Sequence, residues 1–200
     1  RLLEDGHKVS IVDNLSTGRL ENIESIKENG NFHYTIGSIL NRSLMEKLTA
    51  GIDQVYHLAA AVGVKYVIEN PLLSLKTNIV GTDNVLELAN KHKAKVLITS
   101  TSEIYGKSDK VPFSEDDDRL LGSTRISRWG YSDSKAIDEF MALAYFREKR
   151  LPVVIVRCFN TVGPRQTGQY GMVLPKFIKA ALLDQPLVVY GSGKQTRCFA

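Results

Sequence analysis

Short, continuous apolar runs alternate with helix-like segments from one end of this chain to the other. Residues 8–13, 32–36, 53–58, 94–99, 151–159 and 187–190 read as strands, and helical character covers about 19–29, 42–49, 71–91, 133–149 and 172–183. The strand runs are apolar throughout rather than on every second residue, so both of their faces need cover. That pattern belongs to a parallel sheet with helices on both sides, a doubly wound α/β fold. Asn41 or Ser43 is the expected cap of the second helix, and Pro71 the favoured first residue of the third. Leu72, Leu75, Ile79, Leu86 and Ala89 recur in that helix at three- and four-residue steps with one gap of seven.

Composition supports a packed domain. The chain has 200 residues, 43% apolar and 24% charged, enough to bury a core without a disulfide or metal staple. Its net charge of +4 is spread along the sequence, with no clustered basic arm for nucleic acid. Cys158 and Cys198 fit neither a disulfide framework nor a zinc site, and no metal site is expected. No run approaches the length of a membrane span and no signal-peptide pattern opens the chain, so a cytoplasmic protein is expected. Arg1-Leu2-Leu3-Glu4-Asp5-Gly6 reads as the last turn of a helix followed by its glycine stop.

In such a sheet, ligands bind beyond the carboxyl ends of the strands. The polar or small residues that follow directly on strands are Asp13, Ser38, the Ala59-Ala60 pair, Ser100-Thr101 and Asn160. Asp13 suits the acid that hydrogen-bonds a dinucleotide ribose, which stands about 20 residues beyond the start of a glycine-rich phosphate loop. Counting back from Asp13 passes residue 1, and no G-x-G-x-x-G occurs in the chain. Tyr131 and Lys135 stand four residues apart and share one helix face. A nearby cation favours a phenolate, so the pair can act as a base. Thr101 could share a substrate proton with Tyr131, and Glu103 could serve as a second acid or base. His57, at the end of an apolar strand, reads as structural. No G-x-S-x-G hydrolase elbow is present.

Several segments in order resemble the extended short-chain dehydrogenase/reductases that act on nucleotide sugars, the NAD-dependent epimerase/dehydratase family. They are Val12-Asp13-Asn14-Leu15-Ser16-Thr17-Gly18, His57-Leu58-Ala59-Ala60, Asn78-Ile79-Val80-Gly81-Thr82, Ser100-Thr101-Ser102-Glu103-Ile104-Tyr105-Gly106, Tyr131-x-x-x-Lys135, Arg157-Cys158-Phe159-Asn160-Thr161-Val162-Gly163-Pro164-Arg165 and Val189-Tyr190-Gly191-Ser192-Gly193-Lys194-Gln195-Thr196-Arg197. The resemblance implies a Rossmann-type sheet and NAD as cofactor. It makes Tyr131 the catalytic base, Lys135 its partner and ribose ligand, and Thr101 the hydroxyl that shares the proton. Asp13 and Asn14 would hold the adenosine ribose, with Ser38 and Ile39 near the adenine, where Ser38 departs from the family's usual Asp. Leu58, Ala59, Ala60, Asn78 and Ser100 would complete the NAD lining. Ser102, Asn160 and Arg197 would bind the sugar nucleotide, Arg197 through its diphosphate. Asp13 without an adjacent cation favours NAD over NADP, although Arg19 lies six positions on.

The implied chemistry is removal of the C4 hydroxyl proton by Tyr131 with oxidation at C4. A 4,6-dehydratase normally has Asp-Glu after the threonine, and Ser102 stands in place of that Asp. Thr101-Ser102-Glu103, the run from Gly193 to Phe199 and the loop ending Arg128-Trp129-Gly130-Tyr131 resemble UDP-glucuronate decarboxylases. Relatives sharing that loop are usually described as UDP-glucose 4-epimerases, so 4-epimerase stands first and decarboxylase or another dehydratase second. A non-catalytic NAD-sensing protein is the alternative of another class. The same resemblance implies a homodimer. It also implies a truncated NAD-binding domain over 1–160, the N-terminal βα unit missing, and the start of a substrate lobe over 161–200. Residues 1–200 alone are then expected to bind NAD poorly.

Overall fold

The computed structural model describes residues 1–166, 168 and 172–200. Its strands are all parallel and fall into two groups. β1 (Val9–Asp13) pairs with β2 (Phe32–Ile36), Val9 opposite Phe32. β3 (Gln54–His57), β4 (Lys95–Thr101) and β5 (Val153–Cys158) form the second group with β4 in the centre. Among the described residues, β1 and β3 make no ladder with each other.

Among the described residues, five helices join and cover the strands: α1 (Arg42–Leu48), α2 (Val64–Glu69), α3 (Pro71–His92), α4 (Arg128–Lys149) and α5 (Val173–Leu182). The main core joins Leu86 and Ala89 of α3 and Ala142 of α4 to Val96 and Ile98 of β4, with Ala94 and Leu151. Each fully buried Leu or Ile there contributes about 1.5–3 kcal/mol relative to exposure. A second cluster of Ile39, Met45, Val85 and Leu88 packs against Val12 of β1 and Val55 of β3, so α1 and α3 tie the two strand groups into one body. Gly81 makes this approach possible. A Cβ there would lie 2.3 Å from Ile39 Cδ1.

Local chemistry explains the helix ends. Asn41, not Ser43, caps α1, its Oδ1 accepting from the Leu44 N–H at 3.1 Å. Pro71 opens α3 as its first residue. α3 and α4 each stop at a left-handed cation, Lys93 and Arg150, where glycine is commoner. At the start of the chain the His7 N–H bonds the Leu2 carbonyl and the Gly6 N–H bonds the Leu3 carbonyl. With Gly6 at φ 83° this is the glycine-stopped helical turn read from the sequence.

The structure departs from expectation in four places. Residues 187–190 form no strand; they are exposed and have no ladder partner among the described residues. The polar stretch after β1 is a 3-10 turn, Leu20–Ile26, that buries nothing. α4 begins at Arg128 rather than 133, which puts Tyr131 inside its first turn. α2 was not foreseen, because Gly63 gives it no side-chain cap and its sequence is rich in β-branched residues. The expected loop over 160–170 lies partly outside the described residues. The chain beyond it returns to the carboxyl end of β5, where Asn160 bridges Phe199 and the Val162 N–H bonds the Ala200 carbonyl at 2.8 Å.

Candidate active site

Parallel strands bring their carboxyl ends to one edge, and α4 delivers its first turn there. Thr101 ends β4 opposite Cys158 of β5. The Tyr131 phenol stands beside Thr101, in reach of its hydroxyl. Burial pushes its pKa up to about 12, the Thr101 hydroxyl pulls it back, and the carboxylates of Glu103 and Asp138 push it further up. The phenol is therefore protonated at neutral pH and needs a cation or hydrogen-bond donors to become a base. Lys135, four residues on, is 2% exposed. Its Nζ donates to Asp138 Oδ2 at 2.7 Å.

The turn after β4 is fastened to α4. Thr101 Oγ1 accepts from the Glu103 N–H at 3.2 Å, and Ser132 Oγ donates to the Glu103 carbonyl at 2.8 Å. The Glu103 carboxylate is paired with Arg128 at 3.2 Å, whose guanidinium lies 4.8 Å from the Trp129 ring centre. Ser102 is half-buried at the start of the turn.

Asn78, expected in the cofactor lining, bonds within the protein. It is 1% exposed, its Oδ1 accepts from the Ala61 N–H at 2.8 Å and its Nδ2 donates to Ser134 Oγ at 2.9 Å. Both ends of the amide are engaged, so Asn78 braces the wall of the site from behind. Ile39 is buried in the second core cluster. Ser38 closes a turn, its Oγ accepting from the Leu40 N–H at 3.2 Å. His57, buried on β3, has Nε2 2.9 Å from Thr82 Oγ1. Burial and the Lys135 charge lower its pKa to about 3, so it is neutral.

At the far end of the edge, Asp13 Oδ1 accepts from the Leu15 N–H at 2.6 Å and Asn14 Oδ1 from the Ser16 N–H at 3.1 Å. A Cβ on Gly18 would meet Asp13 Oδ2 at 2.9 Å, so the loop passes close over the carboxylate. Leu58 is exposed, Ala59 and Ala60 are half-buried, and Ser100 is buried with an Oγ that has no partner among the described residues. An unsatisfied buried hydroxyl near the carboxyl end of β4, with a carboxylate at the end of β1, fits a dinucleotide.

On the substrate side, Asn160 Nδ2 donates to the Cys198 carbonyl at 2.7 Å, which brings Asn160 next to the segment carrying Arg197. Arg197 is exposed and donates to the Thr196 carbonyl at 2.8 Å.

Sequence reasoning missed two supports. Asp138 lies seven residues after Tyr131 on the face that carries Lys135, a spacing visible in the sequence. Arg157 Nε and Nη2 grip Glu139 at 3.1 and 2.8 Å, while Nη1 reaches the Tyr105 hydroxyl at 3.0 Å and the Glu115 carbonyl at 2.9 Å. These partners span up to 52 residues of sequence, so no local pattern announces them.

The family model described as GDP-mannose 4,6 dehydratase matches residues 1–200. Over 199 residues the chain is 47% identical to a UDP-N-acetyl-alpha-D-glucosaminuronate decarboxylase of Bacillus cytotoxicus, covering 99% of this chain and 61% of that protein. It is 39% identical to UDP-glucuronic acid decarboxylase 1 of Xenopus tropicalis, covering 100% of this chain and 46% of the relative. The solved structure of a UDP-glucuronic acid 4-epimerase from Bacillus cereus, in complex with UDP-glucuronic acid and NAD, is 32% identical with a TM-score of 0.86. That match covers 99% of this chain and 62% of the other. The chain thus spans about half to three fifths of the length of these relatives.

Proposed function

The chain belongs to the NAD-dependent epimerase/dehydratase family, and on that premise we propose that it carries the catalytic pair of a UDP-hexuronate decarboxylase. The observation that carries this reading is the Thr101-Ser102-Glu103 turn, with Glu103 held by Arg128 beside the Tyr131 phenol. The resemblance of that turn to decarboxylases is joined by the 47% identity to a hexuronate decarboxylase, which moves decarboxylase ahead of the 4-epimerase expected from the sequence.

Asp13, Asn14, Ser100, Tyr131 and Lys135 would hold NAD, the cofactor present in the Bacillus cereus relative's structure. When bound, NAD supplies the oxidant for C4 of the sugar. The protein's own residues handle protons and charge. Thr101 and Tyr131 share the proton leaving the C4 hydroxyl, and the Lys135 ammonium favours the phenolate that takes it. The 4-keto sugar is then a β-keto acid. Its C5–C6 bond breaks to release CO2, and the electron pair moves onto the C4 oxygen, where the Thr101 and Tyr131 hydroxyls stabilise it. A proton from water, relayed through the Glu103 carboxylate, is delivered to C5. Asn160 and Arg197 would orient the UDP portion.

The second reading, a 4-epimerase, is favoured by the likeness to the Bacillus cereus enzyme. It uses the same Tyr131 and Thr101 but keeps the carboxylate or hydroxymethyl group intact. Incubating the full-length protein separately with NAD and UDP-glucuronate, UDP-N-acetylglucosaminuronate or UDP-glucose distinguishes them. CO2 from a hexuronate supports the decarboxylase. A C4 epimer without CO2 overturns it in favour of the epimerase.

A homodimer is part of the proposal. α3 and α4 lie side by side and expose Leu72, Leu73, Val80, Ile137, Phe140 and Phe146. An apolar surface of this kind on paired helices is suited to a second copy of the same pair. No helix among the described residues is long and apolar enough to cross a membrane.

A further inference from the structure

We propose that Asp138 is a positioning residue of this active site, its carboxylate anchoring the Lys135 ammonium and, by opposing the phenolate, setting the pH at which Tyr131 becomes a base. The proposal rests on the Tyr131–Lys135 reading and extends it to a residue outside the motif. Tyr131, Lys135 and Asp138 follow at i, i+4 and i+7, so one face of α4 carries all three. Lys135 Nζ and Asp138 Oδ2 are 2.7 Å apart, with side chains 2% and 0% exposed. Asp138 is the hydrogen-bond partner of the ammonium among the described residues.

This pair is poorly explained as a stability device. Asp138 Oδ1 is buried without a partner, and a half-satisfied buried ion pair is no better for stability than apolar residues of the same volume. The pair sits where such a residue has consequences, between the reacting face of α4 and the wall formed by α3 and β3. There Thr82 Oγ1 lies 2.9 Å from His57 Nε2, and the same hydroxyl helps draw the Asp138 carboxyl back down. Burial raises the Asp138 carboxyl above its ordinary range, and the Lys135 ammonium pulls it back.

The other titratable groups around the triad are few. β3 contributes neutral His57, the turn after β4 contributes Glu103, and β5 contributes Cys158. Glu139 on α4 is engaged by Arg157 of β5. α2, which also packs on α4, carries Tyr66 and the exposed Lys65–Glu69 pair. Asp138 is the carboxylate that both binds Lys135 and opposes the Tyr131 phenolate. Replacing it by the isosteric amide keeps an oxygen for the ammonium and removes the opposing charge.

The test uses the full-length, NAD-loaded enzyme and its Asp138→Asn, Asp138→Ser and Tyr131→Phe variants. The pH profile of kcat and the ultraviolet phenolate titration of Tyr131 are measured for each. Asp138→Asn is expected to move the acid limb and the Tyr131 midpoint to lower pH by about one unit, a tenfold change in the ionisation constant. A folded Asp138→Asn enzyme whose limb and midpoint stay put, or move up, overturns the proposal, because a merely structural role changes stability without shifting either. If Asp138→Asn does not fold, the smaller Asp138→Ser is judged by the same two readouts. Tyr131→Phe separates the failures. If it retains turnover, the Tyr131–Lys135 reading itself is wrong, whereas lost turnover with an unmoved Asp138→Asn limb removes only Asp138.

Discussion

Asn78 donates its side-chain N–H to the Ser134 hydroxyl at 2.9 Å, across the contact between α3 and α4. Ser134 passes the link on, donating to the Tyr131 carbonyl at 2.8 Å, while Asn78 Oδ1 holds the Ala61 N–H. One buried amide thus fixes the loop after β3 and the turn that carries the phenol. Asn78→Ala leaves the buried Ala61 N–H unpartnered and removes the donor to Ser134, and is expected to destabilise the protein by about 1–3 kcal/mol. Urea unfolding measures this.

His57 makes stability depend on acid. Its folded pKa of about 3 lies below its ordinary 6.5, so the unfolded chain takes up the proton first. The contribution is fully present above 6.5 and is lost as pH falls from 6.5 towards 3, at about 1.4 kcal/mol per pH unit inside that window. Unfolding free energies at about pH 7 and pH 5 should therefore differ less in His57→Gln than in the parent. An equal pH slope in both would show that His57 is not the buried neutral group responsible.

The Arg157–Glu139 fork anchors β5 to α4 and to Tyr105 beneath the site. Both side chains are largely buried, so Glu139→Ala strands a guanidinium and should cost about 3 kcal/mol, near the lower end for a broken buried pair. Thermal unfolding of Glu139→Ala and Glu139→Gln reads this out, with Gln expected to recover part of the loss through one retained hydrogen bond.

The exposed face of α3 and α4 predicts an oligomer that single charges can split. Phe140 is 64% exposed, so Phe140→Glu should leave the fold intact and convert a dimer of the full-length protein to monomer in sedimentation. An unchanged sedimentation coefficient would remove this face from the interface.

Much of this fold was legible because parallel strands write themselves as unbroken apolar runs. β2 matched its expected limits, Pro71 marked the start of α3, and Gly6 marked a helix stop. Residues 187–190 misled for the same reason, since β propensity without a neighbouring strand to pair with leaves an exposed segment. The early start of α4 was hidden by Arg128-Trp129-Gly130, which carries neither a cap nor a helical period. In the site, the spacing of Tyr131 and Lys135 gave their shared face. The bracing of Asn78 and the fork of Arg157 depend on partners 56 and 18–52 residues away, distances over which periodicity says nothing.

The central claim is that Tyr131 removes the proton that allows oxidation at C4. It is tested most directly by mixing the full-length, NAD-loaded protein with UDP-glucuronate or UDP-N-acetylglucosaminuronate and following the near-ultraviolet absorbance of reduced nicotinamide within one turnover. The account predicts a rise with the parent protein and a rate about a hundredfold or more lower with Tyr131→Phe. A Tyr131→Phe protein that folds, binds NAD and gives the parent's rate and amplitude would contradict it.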